Sequence, residues 1–276
     1  MNFETIVYET EGPLAWITLN RPQKLNAISK TMVDELNRAM DQAQQDDGVR
    51  VILLKGEGRA FSAGFDLEPQ AAPGQNQTQT RAEEIAALKQ ELRNDFDLIM
   101  RFWDSPKPTL AAIHGYCLGG ALELALACDV TIAARGCHLG EPEVKFGSGI
   151  VAMLLPVLCG PKRAKELLLT GNDRVNAEQA EAWGLVNRVC DADWLLHEAR
   201  ALAREIARND PVAVRLTKQA VNNLYEIPRL RDGLEHALEL DLTIETTETD
   251  ESRAFNEILK KEGARAAIAW RDRQLD

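Results

Sequence analysis

The sequence lacks the features that direct proteins to membranes or nucleic acids. It contains no apolar run close to the roughly eighteen residues that a membrane-spanning helix requires. Its first stretch, MNFETIVYETEGPLAW, has neither the basic segment nor the apolar segment of a secretion signal. Acidic residues outnumber basic ones by 43 to 32, for a net charge of −11, so there is no basic footprint for polyanions. We therefore expect a cytoplasmic protein that binds neither nucleic acid nor membranes.

Cysteine is also scarce, and its spacing matches no common metal or redox motif. The number of cysteines, five, is odd, and neither CxxC nor paired Cys/His spacing occurs. These residues are Cys117, Cys128, Cys137, Cys159 and Cys190. Because a small thiol is a common core residue, we expect free, buried cysteines and no metal site.

Strand and helix patterns alternate along the first two thirds of the chain. Apolar runs separated by turn residues predict a hairpin over residues 6–19, and Ser29 can cap a helix whose apolar positions recur at three and four. Further strands and helices are predicted at 49–54, 81–103, 109–113, 121–127 and 130–134. This order predicts an α/β core with mainly parallel strands.

Two regions depart from this alternation. Residues 68–80, EPQAAPGQNQTQT, contain almost no large apolar side chain and predict an exposed loop. After Pro161, which suits a first helical position, the pattern is mainly helical and only 185–189 is strand-like. The later helices are predicted at 193–208, 211–224, 229–245 and 251–270. We therefore divide the chain into a core, residues 1–195, and a C-terminal helical region, residues 196–276.

Three short stretches carry residues suited to catalysis. They are RAFSAGFDL (59–67), HGYCLGGALELALACD (114–129) and GEPEVKFG (140–147). Glycine allows a backbone N–H to approach a ligand closely, and Gly120 would stand in the first turn of a helix, where unpaired N–H groups favour negative charge. Two such amides, one from each of the first two stretches, could form an oxyanion hole.

Two glutamates accompany these glycines. Glu123 lies three residues after Gly120 in an otherwise apolar helix, and Glu143 follows twenty residues later. A buried carboxylate is costly unless it is paired, hydrogen-bonded or used in chemistry. Burial and mutual repulsion can keep one of two neighbouring carboxyl groups protonated near neutral pH. Each feature alone is more often structural, but their joint occurrence favours an acid/base pair.

Nucleophilic serine chemistry is not indicated. Ser62 and Ser148 lack the GxSxG elbow, and His114 has no recognisable serine and aspartate partners in the sequence. We therefore interpret these three residues as structural.

The three stretches resemble the crotonase, or enoyl-CoA hydratase/isomerase, family. LNRPQKLNAIS before them and LLLTGNDRVNAEQAEAWGLVNRV after them extend the likeness, which covers about residues 3–225 and is most specific over 50–190. The resemblance implies a spiral of ββα units with a C-terminal helical trimerisation region, assembled as a trimer or a dimer of trimers. It also implies an acyl-CoA thioester substrate, with coenzyme A as part of the substrate and no separate cofactor.

The resemblance also assigns roles to individual residues. It places the two oxyanion amides on Phe65 and Gly120, and the two glutamates of the hydratases on Glu123 and Glu143. Glu123 would activate water and Glu143 would exchange a proton at the α-carbon; having both favours hydration, because isomerase-like members usually keep only the second. The positions that contact CoA match Lys24, Leu25, Ala63, Gly64, Asp66 and Leu67.

The chain departs from the family pattern in three places. GSGIVAMLLP (147–156) is shorter than the PGxGG-type run that helps to place water, Phe65 replaces a frequent alanine, and Ala121 replaces a frequent third glycine. These departures leave alternatives open. The chain could isomerise the double bond, hydrolyse the thioester or run another reaction of a CoA-bound enolate, or it could be a noncatalytic acyl-CoA-binding subunit.

Overall fold

In the computed structural model, strands and helices alternate along the chain. It describes residues 3–66, 80–146, 148–226, 249–263, 266–267, 269–270 and 273. The strands are β1 (Ile6–Glu11), β2 (Leu14–Leu19), β3 (Val51–Gly56), β4 (Thr109–Ile113), β5 (Tyr116–Leu118), β6 (Val130–Ala134), β7 (His138–Gly140), β8 (Val175–Asn176) and β9 (Arg188–Cys190). The α-helices are α1 (Lys30–Gln45), α2 (Arg81–Trp103), α3 (Gly120–Ala127), α4 (Leu155–Thr170), α5 (Ala177–Ala182), α6 (Leu195–Ala207), α7 (Pro211–Glu226) and α8 (Asp250–Glu262). Short 3-10 helices lie at Pro22–Lys24, Glu143–Phe146 and Ala192–Trp194.

Among the described residues, the main sheet has six strands in the order β1-β2-β3-β4-β6-β9. Only β1 and β2 pair antiparallel, and the other neighbours are parallel. Alternate side chains of the central strands pack against α6 on one face and against α1 and α3 on the other. Burial on both faces explains the nearly continuous apolar runs of these strands, and it confirms the predicted α/β core with mainly parallel pairing.

A second, smaller sheet was not predicted. It has the order β5-β7-β8, with a parallel β5–β7 pair and an antiparallel β7–β8 pair. Its strands are two or three residues long, which is too short for an alternating pattern to be recognised. This sheet positions the site, because β5 leads into α3 and β7 leads into Glu143.

Most predicted elements are confirmed, and their ends have local causes. The hairpin pairs Ile6 with Leu19, and the Ser29 hydroxyl accepts a hydrogen bond from the N–H of Met32 (3.3 Å) to begin α1. Helix α4 is broken at Gly160, whose φ is +78°, and Pro161 starts its second part.

One predicted strand is displaced in the structure, and two predicted segments lie largely outside the described residues. The strand predicted at 185–189 is displaced, because β9 occupies residues 188–190 while Leu185 and Val186 are buried in the core without strand pairing. The predicted loop at 68–80 lies outside the described residues except for Thr80, which caps α2 together with Glu83. The helix predicted at 229–245 also lies outside them.

The division at residue 195 stays a prediction. Helix α6, which follows it, contributes the buried side chains of Leu195, Ala199 and Ala203 to the core beneath the main sheet. None of the described helices has both the length and the apolar character of a membrane span. All five cysteines are free, with Cys159 and Cys190 only partly buried.

Candidate active site

The two glycines before α3 let other groups approach the start of this helix. Gly119 has φ +55°, and a Cβ built on it would lie 2.0 Å from Glu143 Oε1. A Cβ on Gly120 would lie 2.2 Å from the Phe65 ring. The N–H of Gly119 donates to the carbonyl of Gly140 at the end of β7 (2.8 Å). Larger residues at 119 and 120 would therefore displace either the glutamate or the aromatic ring.

Two backbone amides converge at this point. Gly120 occupies the first position of α3, and a Cβ built on Gly64 would lie 3.5 Å from its nitrogen. The neighbouring Phe65 is held by a bridge to Ile28, whose N–H donates to Gly64 (2.8 Å) and whose carbonyl accepts from Asp66 (3.0 Å). Neither the Phe65 nor the Gly120 N–H donates to an acceptor among the described residues. They are therefore unpartnered donors of the kind that suit an anionic ligand atom.

Glu123 lies in the first turn of α3 and is only 2% exposed. Its two oxygens accept hydrogen bonds from the N–H groups of Val151 (3.0 Å) and Ala152 (2.7 Å). Burial raises the pKa of Glu123 to about 7; the two N–H groups oppose this shift, and the charges of Glu143 and Asp95 add to it. A carboxylate offers about four acceptor positions, so two remain for a water molecule.

The amides that hold Glu123 come from the segment in which the sequence departs from the family pattern. Val151 and Ala152 belong to the shortened run at 147–156, of which residues 148–156 are described. The shorter run thus still supports the carboxylate. This contact was not predicted, because backbone amides carry no residue-type signal in the sequence.

Glu143 begins the 3-10 helix that follows β7 and is partly buried. Burial raises the pKa of its carboxyl group. Its Oε1 lies against Gly119, whereas its Oε2 is buried and accepts no hydrogen bond from the described residues. The charge of Glu143 acts on the pKa of Glu123, so the structure brings the two predicted glutamates together at the start of α3.

Asp95 on α2 adds a third acidic group near Glu123. Burial first, and then the charge of Glu91, raise the pKa of Asp95 to about 6. Asp95 itself contributes to the raised pKa of Glu123. No sequence pattern indicated this neighbour, because α2 is distant from α3 along the chain and the two helices meet only in the folded protein.

The residues expected to contact CoA lie on two adjoining turns. Lys24 is exposed at the end of a 3-10 helix, and the carbonyl of Leu25 accepts a hydrogen bond from the N–H of Ala63 (3.0 Å). The Asp66 carboxylate accepts a hydrogen bond from Arg21 Nη1 (2.8 Å). Gly64 stands between Ala63 and Phe65 with φ +95°, and Leu67 lies outside the described residues.

Asn26 holds these two turns together, a role that sequence reasoning missed. Its side chain is fully buried. Its Nδ2 donates to the carbonyls of Glu57 (2.8 Å), Ala60 (2.8 Å) and Phe61 (3.1 Å), and its Oδ1 accepts from the N–H of Arg21 (2.8 Å). Its φ of +54° is in the left-handed region that asparagine tolerates. The signal for this role in the sequence was an asparagine located inside a turn.

Replacing Asn26 by alanine is expected to lower the free energy of unfolding by about 3 kcal/mol, because the substitution leaves several buried groups without hydrogen bonds. Urea denaturation followed by circular dichroism measures this change. Asn209→Ala, at an exposed position, is the control and should change stability by about 0.5 kcal/mol at most. Equal stabilities of Asn26→Ala and wild type would contradict the assigned role.

Two of the three side chains interpreted as structural, Ser62 and His114, lie within hydrogen-bond distance of backbone groups. The Ser62 hydroxyl donates to the carbonyl of Asn26 (2.8 Å) and accepts from the N–H of Gly64 (3.2 Å). A ring nitrogen of His114 lies 2.9 Å from the carbonyl oxygen of Gly58. Ser62 and His114 therefore shape the turn that carries Phe65.

A cavity elsewhere in the molecule does not include the site. It has a volume of about 730 Å³ and lies between α7 and the ends of α2, α3 and α4. Its lining includes Trp103, Asp129, Lys218 and Tyr225 but neither predicted glutamate. The described residues also contain no group of three His, Cys, Asp or Glu side chains that could hold a metal ion.

Fold and site together define a class of protein. The first turn of a glycine-opened helix supplies one free amide, the adjoining turn at Phe65 supplies another, and two carboxyl groups with raised pKa values lie nearby. This arrangement is typical of acid/base enzymes that stabilise an oxyanion. The model of the enoyl-CoA hydratase/isomerase family matches residues 9–265. The chain belongs to this family, within the crotonase superfamily.

Individual relatives agree with this assignment. The chain is 40% identical over 237 residues to a putative enoyl-CoA hydratase of Thermus thermophilus, covering 85% of the chain and 88% of that protein. It is 39% identical over 228 residues to a crotonyl-CoA hydratase of Syntrophomonas wolfei, covering 80% and 83%. A crystal structure of an enoyl-CoA hydratase/isomerase from Xanthobacter autotrophicus is 48% identical, covers all of both chains and superposes with a TM-score of 0.75. These similarities confirm the crotonase-like fold.

Proposed function

We propose that the protein catalyses the reversible addition of water to the 2,3 double bond of an enoyl-CoA thioester. The observation that carries this proposal is the position of Glu123 and Glu143 beside the unpartnered amides of Phe65 and Gly120. Relatives named enoyl-CoA hydratase and crotonyl-CoA hydratase support it. A catalyst of this reaction needs a base for water, an acid for the α-carbon and a site for negative charge, and these four residues supply all three.

Each residue has one task in the proposed reaction. Ionised Glu123 takes a proton from water, whose oxygen forms a bond to C3. The electron pair of the double bond moves toward the thioester oxygen, which accepts hydrogen bonds from Phe65 and Gly120. Glu143 then gives its proton to C2, and exchange with solvent restores both carboxyl groups. CoA enters only as part of the substrate, and protein groups perform every step without a separate cofactor.

The acidities of the glutamates suit these tasks. An acid or base works best when its pKa is near the working pH, and burial raises the pKa of Glu123 to about 7. Burial also raises the pKa of Glu143, a shift in the direction that favours the protonated, donating form. The first turn of α3 favours negative charge at the thioester oxygen as the enolate forms.

Hydration should depend on pH in a predictable direction. Glu123 must be ionised, and its pKa is raised to about 7, so kcat/KM should fall as the pH decreases below 7, by about tenfold per pH unit well below the apparent pKa. It should fall again at higher pH, when Glu143 loses the proton that it gives to C2. Initial rates with crotonyl-CoA across this range test the prediction. A rate that stays constant from about pH 5 to 8 would contradict a role for Glu123 as base.

Double-bond isomerisation is the nearest alternative. It requires one carboxyl group to move a proton between carbons and no bound water. Both Glu123 oxygens accept hydrogen bonds from backbone amides, as the oxygens of a structural carboxylate would. This observation favours isomerisation. Thioester hydrolysis and other reactions of a CoA-bound enolate would use the same amide pair.

Product analysis with the wild-type enzyme separates these functions. Crotonyl-CoA and a panel of longer and cyclic enoyl-CoAs are incubated with the enzyme, and the products are identified by mass spectrometry. A gain of one water molecule with the thioester intact supports hydration. A shifted double bond or free CoA would support an alternative and contradict the proposal. Tight CoA binding in calorimetry with no turnover of any substrate would favour a noncatalytic binding subunit.

We also propose that the protein forms a trimer or a dimer of trimers in the cytoplasm. Large apolar side chains on the second half of the chain are exposed, including Leu169 at 77% and Trp194 at 57%, and exposed apolar patches are common at subunit interfaces. Sedimentation analysis that found only a monomer would contradict this assembly.

A further inference from the structure

A third glutamate, Glu141, lies two residues before Glu143 and is not used in the proposed reaction. It directly follows β7, and its N–H donates to the carbonyl of Asn172 (3.0 Å). The side chain is 0% exposed. Neither of its carboxyl oxygens accepts a hydrogen bond from the described residues. A carboxyl group in such surroundings is costly and therefore needs an explanation.

The buried oxygen Oε2 of Glu143 has the same unusual property. No N–H group and no serine, threonine or tyrosine hydroxyl of the described residues donates to it. The carboxyl groups of Glu141 and Glu143 instead lie within hydrogen-bonding reach of each other. Two ionised carboxylates cannot form such a bond, because each is only an acceptor. One of the two must carry a proton.

The surroundings of the two carboxyl groups indicate which of them carries the proton. Burial raises the pKa of Glu141 well above its usual value, and Glu123 on α3 and Glu143 raise it further. The buried thiol of Cys117 on β5 also faces Glu141, and no cationic side chain of the described residues contributes. The hydrogen bond between the carboxyl groups raises the pKa of Glu141 and lowers that of Glu143. Glu141 is therefore the neutral donor.

We propose that Glu141 is a positioning residue that, as a neutral acid, donates a hydrogen bond to Glu143 Oε2 and holds Glu143 Oε1 against Gly119 for proton transfer at the α-carbon. The bond can persist through the catalytic cycle, because Oε2 accepts a hydrogen bond whether Glu143 is ionised or protonated. The inference rests on the proposed role of Glu143, but it requires nothing of Glu123 or of bound water.

The test uses exchange of the α-protons of butyryl-CoA in D₂O, followed by NMR. In this reaction Glu143 takes a proton from C2, the electron pair moves to the thioester oxygen, and a deuteron returns from Glu143 to C2. Glu141→Met, which removes the donor, should exchange about 10- to 100-fold more slowly than wild type, because a hydrogen bond to a charged group is lost. Glu141→Gln, which keeps an N–H donor of similar shape, should restore most of the rate.

The pH profile and the stability distinguish positioning from a structural role. In Glu141→Met the pKa of Glu143 should rise, so the low-pH limb of the exchange profile should move to higher pH. The melting temperature of this variant should be at least that of wild type, because a buried carboxyl without an external donor is replaced by an apolar side chain. Equal slowing in both variants, together with lower melting temperatures, would show a structural role and overturn the proposal.

An infrared measurement is independent of turnover. At about pH 9, well above the pKa of about 7 of Glu123, the spectrum of wild type minus that of Glu141→Gln should show the C=O stretch of one protonated carboxyl group. Absence of this band from the difference spectrum would overturn the proposal. If the enzyme exchanged α-protons but added no water, the hydratase function would be refuted. The role of Glu141 would still be tested by the exchange rates of the same variants.

Discussion

Replacing Glu123 by glutamine is expected to slow the hydration of crotonyl-CoA by about 10²- to 10⁴-fold, the usual contribution of a positioned acid or base. The neutral amide cannot take a proton from water. It also offers only one oxygen, whereas the carboxylate accepts from both Val151 and Ala152. Initial rates at saturating crotonyl-CoA measure the change in kcat.

A matched control separates lost chemistry from disturbed packing. Glu35 is also 2% exposed and also accepts two backbone hydrogen bonds, from Glu4 (2.7 Å) and Thr5 (2.8 Å), but it lies on α1. Glu35→Gln should lower stability, with little effect on kcat. If Glu35→Gln and Glu123→Gln reduced kcat equally, the loss in Glu123→Gln could not be assigned to water activation.

Glu123→Gln should spare one partial reaction. Exchange of the α-protons of butyryl-CoA requires Glu143 and the two amides but no attacking water. The variant should therefore retain exchange while it loses hydration. Loss of both activities in this variant would argue that Glu123 supports the whole site rather than the water alone.

Replacing Glu143 by glutamine is expected to slow both hydration and α-proton exchange by about 10²- to 10⁴-fold. This carboxyl group is the proposed proton carrier at C2, which both reactions use. Steady-state rates with crotonyl-CoA and NMR exchange with butyryl-CoA measure the two effects. Calorimetric titration with butyryl-CoA is the control, because the amides of Phe65 and Gly120 remain and binding should persist.

The two glutamate variants should differ in α-proton exchange, and this difference would define the reaction. Hydration lost in both variants, with exchange lost only in Glu143→Gln, is the pattern of a hydratase. If Glu143→Gln exchanged α-protons at the wild-type rate, another group would have to be the acid at C2, and the assignment of Glu143 would be wrong.

Elements with a clear periodic signal could be predicted from the sequence. Helix α1 combines a capping Ser29 with a buried stripe, and β4 and β6 are nearly continuous apolar runs that pack on both faces. Strands β7 and β8 could not be predicted, because two or three residues show no period and pair only through contacts distant in sequence. Even so, β7 places Glu143 against Gly119.

The chemistry of the site was predictable only in part. The position of Glu123 after two glycines indicated an acid/base residue in the sequence, and the structure brings it close to Glu143. The donors that hold Glu123 are backbone amides, and Asn26 acts through carbonyls more than thirty residues away. Glu141 stands in the quoted GEPE stretch, but only its complete burial in the fold shows that it is different from a surface glutamate.

The most direct test of the proposed function follows crotonyl-CoA by NMR in D₂O with wild-type enzyme. One spectrum reports both events. Addition of water gives a 3-hydroxyacyl thioester, and transfer of a deuteron from Glu143 labels C2. We expect 3-hydroxybutyryl-CoA carrying deuterium at C2, formed orders of magnitude more slowly by Glu123→Gln. A wild-type reaction that moved the double bond without forming a hydroxyacyl product would contradict the proposed function.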